Sequence, residues 1–281
     1  MIDYNPGAMN IHPTSIIHPD ARIGADVKIG PYCTVGQNVV LCDRVELVSH
    51  VVIDGRTEIC DDTVVYPFAV IGVKGQDLKF QEDDTMSGLR IGKRNKIREY
   101  VTIHSGTPAS TGTEIGDDCQ LMVNSHIAHD CKIGNDVVVG NLVQLAGHVE
   151  VEDYVIISGC SAVHQFCRIG RNAFIGGITG IGTDVPPYAI FEGRPGAYRT
   201  INKVGLLRHG FTAEDLQAIH KVYSAIFVKS EAGGRDAAAD VSDILKKIRR
   251  EVAGNKYAMD AIDFIENRSK RGATSVRVLS K

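Results

Sequence analysis

From Ile11 an aliphatic residue recurs every six positions, at Ile17, Ile23, Ile29, Val35, Leu41, Leu47, Ile53, Ile59, Val65 and Ile71. The frame then breaks. It resumes at Ile91, Ile97 and Ile103, skips one unit, and runs from Ile115 through Leu121, Ile127, Ile133, Val139, Leu145, Val151, Ile157, Val163, Ile169 and Ile175 to Ile181. Chance does not hold one frame for so long, and a fixed internal period marks a solenoid.

The other positions of the unit agree. The residue after the aliphatic is often glycine, as at Gly24, Gly30, Gly92, Gly116 and Gly134, which suggests backbone angles suited to a tight corner. The fifth residue is small or β-branched (Ala21, Val27, Val39, Val51, Ala69, Val137), which suits a crowded interior and a short strand. Three such units close a triangular coil, and successive coils stack as parallel strands. The expected fold is therefore mainly β: a parallel β-helix of hexapeptide repeats with two expelled loops, Gly72–Arg90 and His104–Glu114. Loops expelled from a rigid solenoid often carry function.

Past Pro186-Pro187 the period becomes helical. Leu216, Ile219, Tyr223, Ile226 and Phe227 define one helix with Thr212 and Asp215 as its cap, Val241 to Val252 a second, and Lys256 to Arg268 a third. Asn202–His209 is expected as a short junction helix and the tail from Ser269 as frayed. Two domains follow: residues 1–189 as the β-helix and 190–281 as a small C-terminal α-helical domain.

A net charge of −3 speaks against wholesale nucleic-acid binding. The charge is uneven, however: residues 190–281 hold 17 Lys+Arg against 11 Asp+Glu, and the first 189 hold 14 against 23. A basic end fits either a docking surface for an acidic partner or a solvated helical face. Seven cysteines form no CxxC pair, and Cys33, Cys119, Cys131 and Cys167 share one place in the repeat, as small buried side chains would. Reduced thiols, the lack of a leader-like start and the absence of a spanning apolar run lead to the expectation of a cytoplasmic protein without membrane insertion.

Residues eighteen apart lie one above another. Counting up from His129 gives Gly147 and then Gln165; counting from Asp130 gives His148 and then Phe166. One column therefore gathers His129, Gly147-His148 and His164-Gln165, with the 104–114 loop beside it. A histidine can take a proton from a hydroxyl near neutral pH. A bare glycine N–H one coil away can hold the oxyanion that results. Asp130 orients His129 only if the pair lies at a corner, since adjacent strand residues face opposite ways. The same histidines admit a second reading as a His₃ zinc site. Against it, residues 126 and 129 of a straight strand point apart, so one chain would not chelate easily.

Ser125-His126-Ile127-Ala128-His129-Asp130-Cys131, Leu145-Ala146-Gly147-His148-Val149, Ala162-Val163-His164-Gln165-Phe166, Gln76-Asp77-Leu78-Lys79-Phe80 and Asp184-Val185-Pro186-Pro187-Tyr188 together resemble the UDP-N-acetylglucosamine acyltransferase family. The resemblance runs from about residue 11 to the last helices and implies a left-handed β-helix. The implied reaction is transfer of a 3-hydroxyacyl chain from acyl carrier protein to the 3-hydroxyl of UDP-N-acetylglucosamine, the first step of lipid A biosynthesis. In that reaction His129 matches the general base and Gly147 the oxyanion donor, with no acyl-enzyme and no cofactor. Gln76, Asp77 and Lys79 match sugar-binding positions. His126, His148, His164 and Gln165 match positions around the sugar and diphosphate, and Asn202 and Arg208 match nucleotide-end contacts. Gly177 matches the position that limits acyl-chain length, where glycine implies a long chain. The family is a homotrimer with sites shared between neighbours. The basic helices, notably Lys246, Lys247, Arg249 and Arg250, fit docking of an acidic carrier. Phe191-Glu192-Gly193-Arg194-Pro195-Gly196-Ala197 departs from the family's form.

Three rivals remain on sequence alone. An N-acyltransferase of the same pathway usually carries an extra N-terminal domain, for which hexads beginning at Ile11 leave no room. A metal-dependent hydratase of the carbonic-anhydrase type shares the solenoid. A non-catalytic scaffold would have no activity to lose on replacement of His129. The sequence leaves open whether the acceptor is UDP-N-acetylglucosamine or its 3-amino analogue.

Overall fold

The aliphatic frame closes into a three-sided prism. The structure is a computed structural model describing residues 10–77, 85–227, 237–267 and 269. Each hexad gives a short strand and a turn, and the strands sort into three parallel sheets. The first face begins at Ile16–Ile17, the second at Arg22–Ile23 and the third at Lys28–Ile29. Pairing keeps the expected offset of eighteen, as in His126↔Gln144 and Gln144↔Ala162. Across the two expelled loops it widens, to Ile71↔Ile103 and Thr102↔His126, and the frame is then recovered. The fold is a left-handed parallel β-helix carrying a C-terminal helical part. The aliphatic residue of each hexad points inward, so Ile29, Leu47, Ile71, Ile103, Leu121, Leu145 and Ile175 are among the side chains that fill a fully buried axial core. Cys33, Cys119, Cys131 and Cys167 are buried there too.

The corners differ from expectation in an instructive way. The left-handed backbone angle falls on the residue three after the aliphatic, not on the glycine one after it. These corner residues are mostly not glycine: Asp26, Tyr32, Arg44, His50, Asp130 and His148 all have φ between 51° and 62°. Each such residue costs about 1–2 kcal/mol, and stacking offsets the strain. At most corners the N–H donates to a carbonyl of the coil below, as from Arg44 to Ala25 O (2.8 Å) and from His148 to His129 O (3.0 Å). The glycines serve close approach instead: a Cβ on Gly30 would lie 1.8 Å from the Val48 carbonyl oxygen of the next coil.

Two strands beyond residue 189 still belong to the third face. Ala189–Glu192 runs parallel to Phe174–Ile175, and Ala197–Ile201 turns back antiparallel on it. The helices follow as α1 (Lys203–Arg208), α2 (Ala213–Phe227), α3 (Ala237–Glu251) and α4 (Lys256–Glu266). Thr212 and Asp215 form the reciprocal cap of α2, Asp215 N–H to Thr212 Oγ1 at 3.2 Å and Thr212 N–H to Asp215 Oδ2 at 2.9 Å. Tyr188 Oη donates to Asp260 (2.6 Å) and Tyr198 stacks on Phe227, fastening the helices to the end of the prism. The basic tail expected beyond Ser269 lies outside the described residues. Among the described residues no helix is long and apolar enough to cross a membrane.

Candidate active site

The corner between the first and second faces collects the polar residues. The chain turns there at His129-Asp130 between His126–Ile127 and Lys132–Ile133, and at Gly147-His148 and His164-Gln165 on the next two coils. Both expelled loops leave from this same corner, after Val70–Val73 and after Thr102–His104, on the two coils below.

The corner geometry decides the question left open for Asp130. In an extended strand its carboxylate would point away from His129. With φ at +62° it swings back, and His129 Nδ1 lies 2.8 Å from Asp130 Oδ2. The Thr107 N–H donates to the other carboxylate oxygen at 2.9 Å. The Asp130 N–H, unlike most corner amides, meets not a carbonyl below but Thr113 Oγ1, at 2.9 Å, where the chain returns from the expelled loop. Burial by itself would raise the Asp130 pKa. Hydrogen bonds from His129, Ser110 and Thr107 outweigh it and hold the carboxyl well below the usual carboxylate range. A buried carboxylate that stays ionised fixes the imidazole tautomer with the proton on Nδ1, leaving Nε2 as the basic atom.

That Nε2 edge lies against Gly147. A Cβ on Gly147 would sit 2.6 Å from His129 Cε1 and 2.7 Å from Nε2, so a side chain and this imidazole position exclude each other. At the equivalent hexad position on the corner between the second and third faces, the amide donates to a side chain of the coil above: Ala25 to Asp43 Oδ1 (2.8 Å), Asp117 to Asn135 Oδ1 (2.8 Å), Asn135 to Asp153 Oδ1 (2.7 Å). Among the described residues the Gly147 N–H has no acceptor. An amide without an acceptor beside an oriented base is an arrangement able to receive a developing oxyanion.

The surrounding residues divide. His148 Nε2 lies 3.5 Å from Asp130 Oδ2 and its ring stacks on Phe166. His126 Nδ1 lies 2.7 Å from Thr102 Oγ1, and burial, followed by the neighbouring His129, lowers its pKa. His164 and Gln165 are exposed on the coil above. Gln76 and Asp77 start the first expelled loop at the same corner, while Lys79 lies outside the described residues. The rest stand elsewhere. Gly177 is exposed on the corner between the third and first faces, with only Gly159 O near a notional Cβ, at 3.6 Å. Arg208 is exposed at the end of α1, over the remaining corner. Asn202 is buried with its amide engaged, capping α1 through Gly205 N–H (3.1 Å) and donating to Asn172 O (2.9 Å). It therefore positions α1 rather than facing solvent.

Sequence reasoning passed over His104, counting it only as the start of a loop. It is 5 % exposed, lies edge-on to His126, and its pKa is lowered to about 4 by burial and then by His126 and His129. Its Nδ1 has no partner among the described residues. Thr107, Ser110 and Thr113 were also missed as individual residues. The Ser/Thr content of the loop was the available signal. The ligand atoms of His129, Asp130 and His148 lie within 4.8 Å of one another, so the metal-capable trio includes His148 and not His126.

Residues 184–274 match the family described as Udp N-acetylglucosamine O-acyltransferase, Domain 2, and residues 9–43, 20–55 and 112–147 match the bacterial transferase hexapeptide model. The chain is 42% identical over 270 residues to the acyl-[acyl-carrier-protein]–UDP-N-acetylglucosamine O-acyltransferase of Agrobacterium fabrum, covering 95% of this chain and 96% of that one. It is 43% identical to the enzyme of that name from Thermodesulfovibrio yellowstonii, over 93% and 98%. Among solved structures, UDP-N-acetylglucosamine acyltransferase from Bacteroides fragilis superposes with a TM-score of 0.85 at 39% identity, covering 93% of this chain and 98% of that one. The corresponding O-acyltransferase of Moraxella catarrhalis gives 0.85 at 40%, covering 94% and 99%.

Proposed function

The chain belongs to the UDP-N-acetylglucosamine O-acyltransferase family, and from that premise we propose that it acylates the glucosamine 3-hydroxyl of UDP-N-acetylglucosamine from a 3-hydroxyacyl-carrier protein by general-base catalysis at His129. The observation that carries this is the pairing of an Asp130-held imidazole with the bare Gly147 amide on adjacent coils. His129 Nε2 takes the proton of the 3-hydroxyl as its oxygen attacks the thioester carbonyl. The carbonyl electrons move to oxygen, where the Gly147 N–H receives the charge. Collapse of the tetrahedral adduct expels the carrier thiolate, which takes the proton back from His129. The products are a 3-O-acyl ester and a free carrier thiol, with no acyl-enzyme and no cofactor. Asp130 stabilises the imidazolium and His148 shares its carboxylate. His126, His164, Gln165, Gln76, Asp77 and Lys79 line the sugar and diphosphate, and the exposed guanidinium of Arg208 takes the nucleotide end.

The same reading has the active form as a homotrimer. Gly177, Arg208 and His129 stand on three different corners of one prism, so a single chain does not gather them. A ridge of exposed Tyr32, Phe68, Tyr100, Leu142 and Ile178 runs along one corner, with Tyr32, His50, Phe68 and Tyr100 spaced 5.0 Å ring to ring. An exposed, largely apolar ridge suits burial against two further copies.

The test is transfer from a ladder of acyl carriers to UDP-N-acetylglucosamine and to its 3-amino analogue, with wild type and His129→Ala. Ester formation with long acyl chains that His129→Ala slows about 10²–10⁴-fold is expected. Amide formation alone, or transfer unaffected by His129→Ala, overturns the proposal.

A further inference from the structure

Cys42 and Cys60 are not among the core cysteines of the repeat. They follow Leu41 and Ile59 on the second face, in the column that holds Gly24 below and Gly92 and Gly116 above. That column favours glycine because a side chain crowds the next coil: a Cβ on Gly92 would lie 2.6 Å from Gly116. On two consecutive coils it carries thiols instead. Between them, Glu58 turns its carboxylate back, with Oε1 4.0 Å from Cys42 Sγ and 3.8 Å from Cys60 Sγ. The three ligand atoms all lie within 4.8 Å of one another.

We propose that Cys42, Glu58 and Cys60 form a binding site for a soft divalent cation, best matched by Zn²⁺. Tetrahedral zinc with Zn–S near about 2.3 Å and Zn–O near about 2.0 Å has S···O edges of roughly 3.5 Å and an S···S edge of roughly 3.8 Å. The observed separations reach those edges with shifts of a few tenths of an ångström for Glu58 and under about one ångström between the sulfurs. Two thiolates and a carboxylate select zinc over the hard cations calcium and magnesium, which take oxygen. Cys60 is buried, whereas Cys42 and Glu58 are half-exposed, so the ion has an entry side and a solvent side for a fourth ligand. The carboxylates of Asp43 and Asp61 add negative potential beside Cys42, and Arg90 opposes it beside Cys60. Burial and Glu58 raise both thiol pKa values in the metal-free chain, Cys60 to about 11, so the ion binds by displacing protons. Joining two coils, the bound ion acts as a clip low on the prism, well away from the His129 corner.

The experiment takes reduced, chelator-treated full-length protein and titrates it with Zn²⁺ alone by calorimetry and with Co²⁺ by absorption. One ion per chain with sulfur-to-cobalt charge transfer is expected. The Zn²⁺ Kd should rise about a hundredfold or more in Cys42→Ser/Cys60→Ser, rise less in Glu58→Gln, and stay unchanged in His148→Ala. On unaltered protein, Zn²⁺ should shield the half-exposed Cys42 from alkylation; this reading stands even if the double variant does not fold. Uptake that survives the double serine variant, uptake lost in His148→Ala, no sulfur-to-cobalt band, or a Cys42–Cys60 disulfide forming in place of metal uptake would each overturn the proposal.

Discussion

At Gly147 one hydrogen atom separates a working corner from a blocked one. Gly147→Ala puts a methyl within 2.7 Å of the His129 ring, so the imidazole must leave its place beside the amide. Turnover is expected to fall about 10²–10³-fold, a loss larger than any change in thermal midpoint accounts for. Kinetics and melting on the same sample check this, and near-normal kcat would contradict it. His129→Ala should cost about 10²–10⁴-fold from loss of the base alone. Asp130→Asn should lower kcat more than it raises KM for either substrate, and move the pH–rate profile, because the amide no longer stabilises an imidazolium.

His104 supplies a stability signature at the same scale. Its folded-state pKa is depressed to about 4 from an ordinary 6.5. The unfolded chain therefore binds this proton first as pH falls. The stability it contributes is fully present above about pH 6.5 and is lost on descent toward pH 4. Asp130, also depressed, adds a loss only below the ordinary carboxylate range. Calorimetric midpoints should therefore decline across the histidine window, and His104→Asn should flatten that decline. An unaltered slope in the variant would show that other groups set it.

Among elements, the 104–113 loop does most to make one corner unlike the rest. At most other corners the amide meets a carbonyl below it; here Thr113 Oγ1 accepts from that amide and the loop's Thr107 N–H donates to the carboxylate. Thr113→Val leaves a buried donor unmatched, at about 1–3 kcal/mol. The expected outcome is a lower melting temperature together with a kcat loss that exceeds the KM change. The acidic-carrier surface is narrower than the basic composition suggested. On α3, Arg249 is already paired with Asp263 (2.6 Å) and Glu266 (2.7 Å), and Lys246 with Asp243 (3.0 Å). Among the described residues Lys247 and Arg250 are the cations of that group with no ion pair, and raised ionic strength should increase KM for the carrier through them. A KM flat in salt would remove this helix from docking.

For the whole molecule, assembly and activity are expected to be lost together. Phe68→Glu with Tyr100→Glu places charge on the apolar ridge without touching the His129 corner. Sedimentation should report dissociation of a trimer, and transfer should fall with it because Gly177 and Arg208 lie on other corners. A variant that stays trimeric, or a monomer that keeps full activity, would refute the shared site. Much of this architecture was legible in one line of text. The hexad frame determined the solenoid, the eighteen-residue register and the column joining His129 to Gly147 and His148, because a two-residue strand and a fixed turn leave stacking no freedom. The sequence did not determine where the left-handed angle falls, and so whether Asp130 reaches back to His129. It also hid that Asn202 is engaged as a cap, that His104 lies neutral beneath His126, and that Glu58 turns between two thiols. Those facts depend on side chains meeting across coils and loops, where hydrogen bonding and burial between residues far apart in the chain set direction and charge.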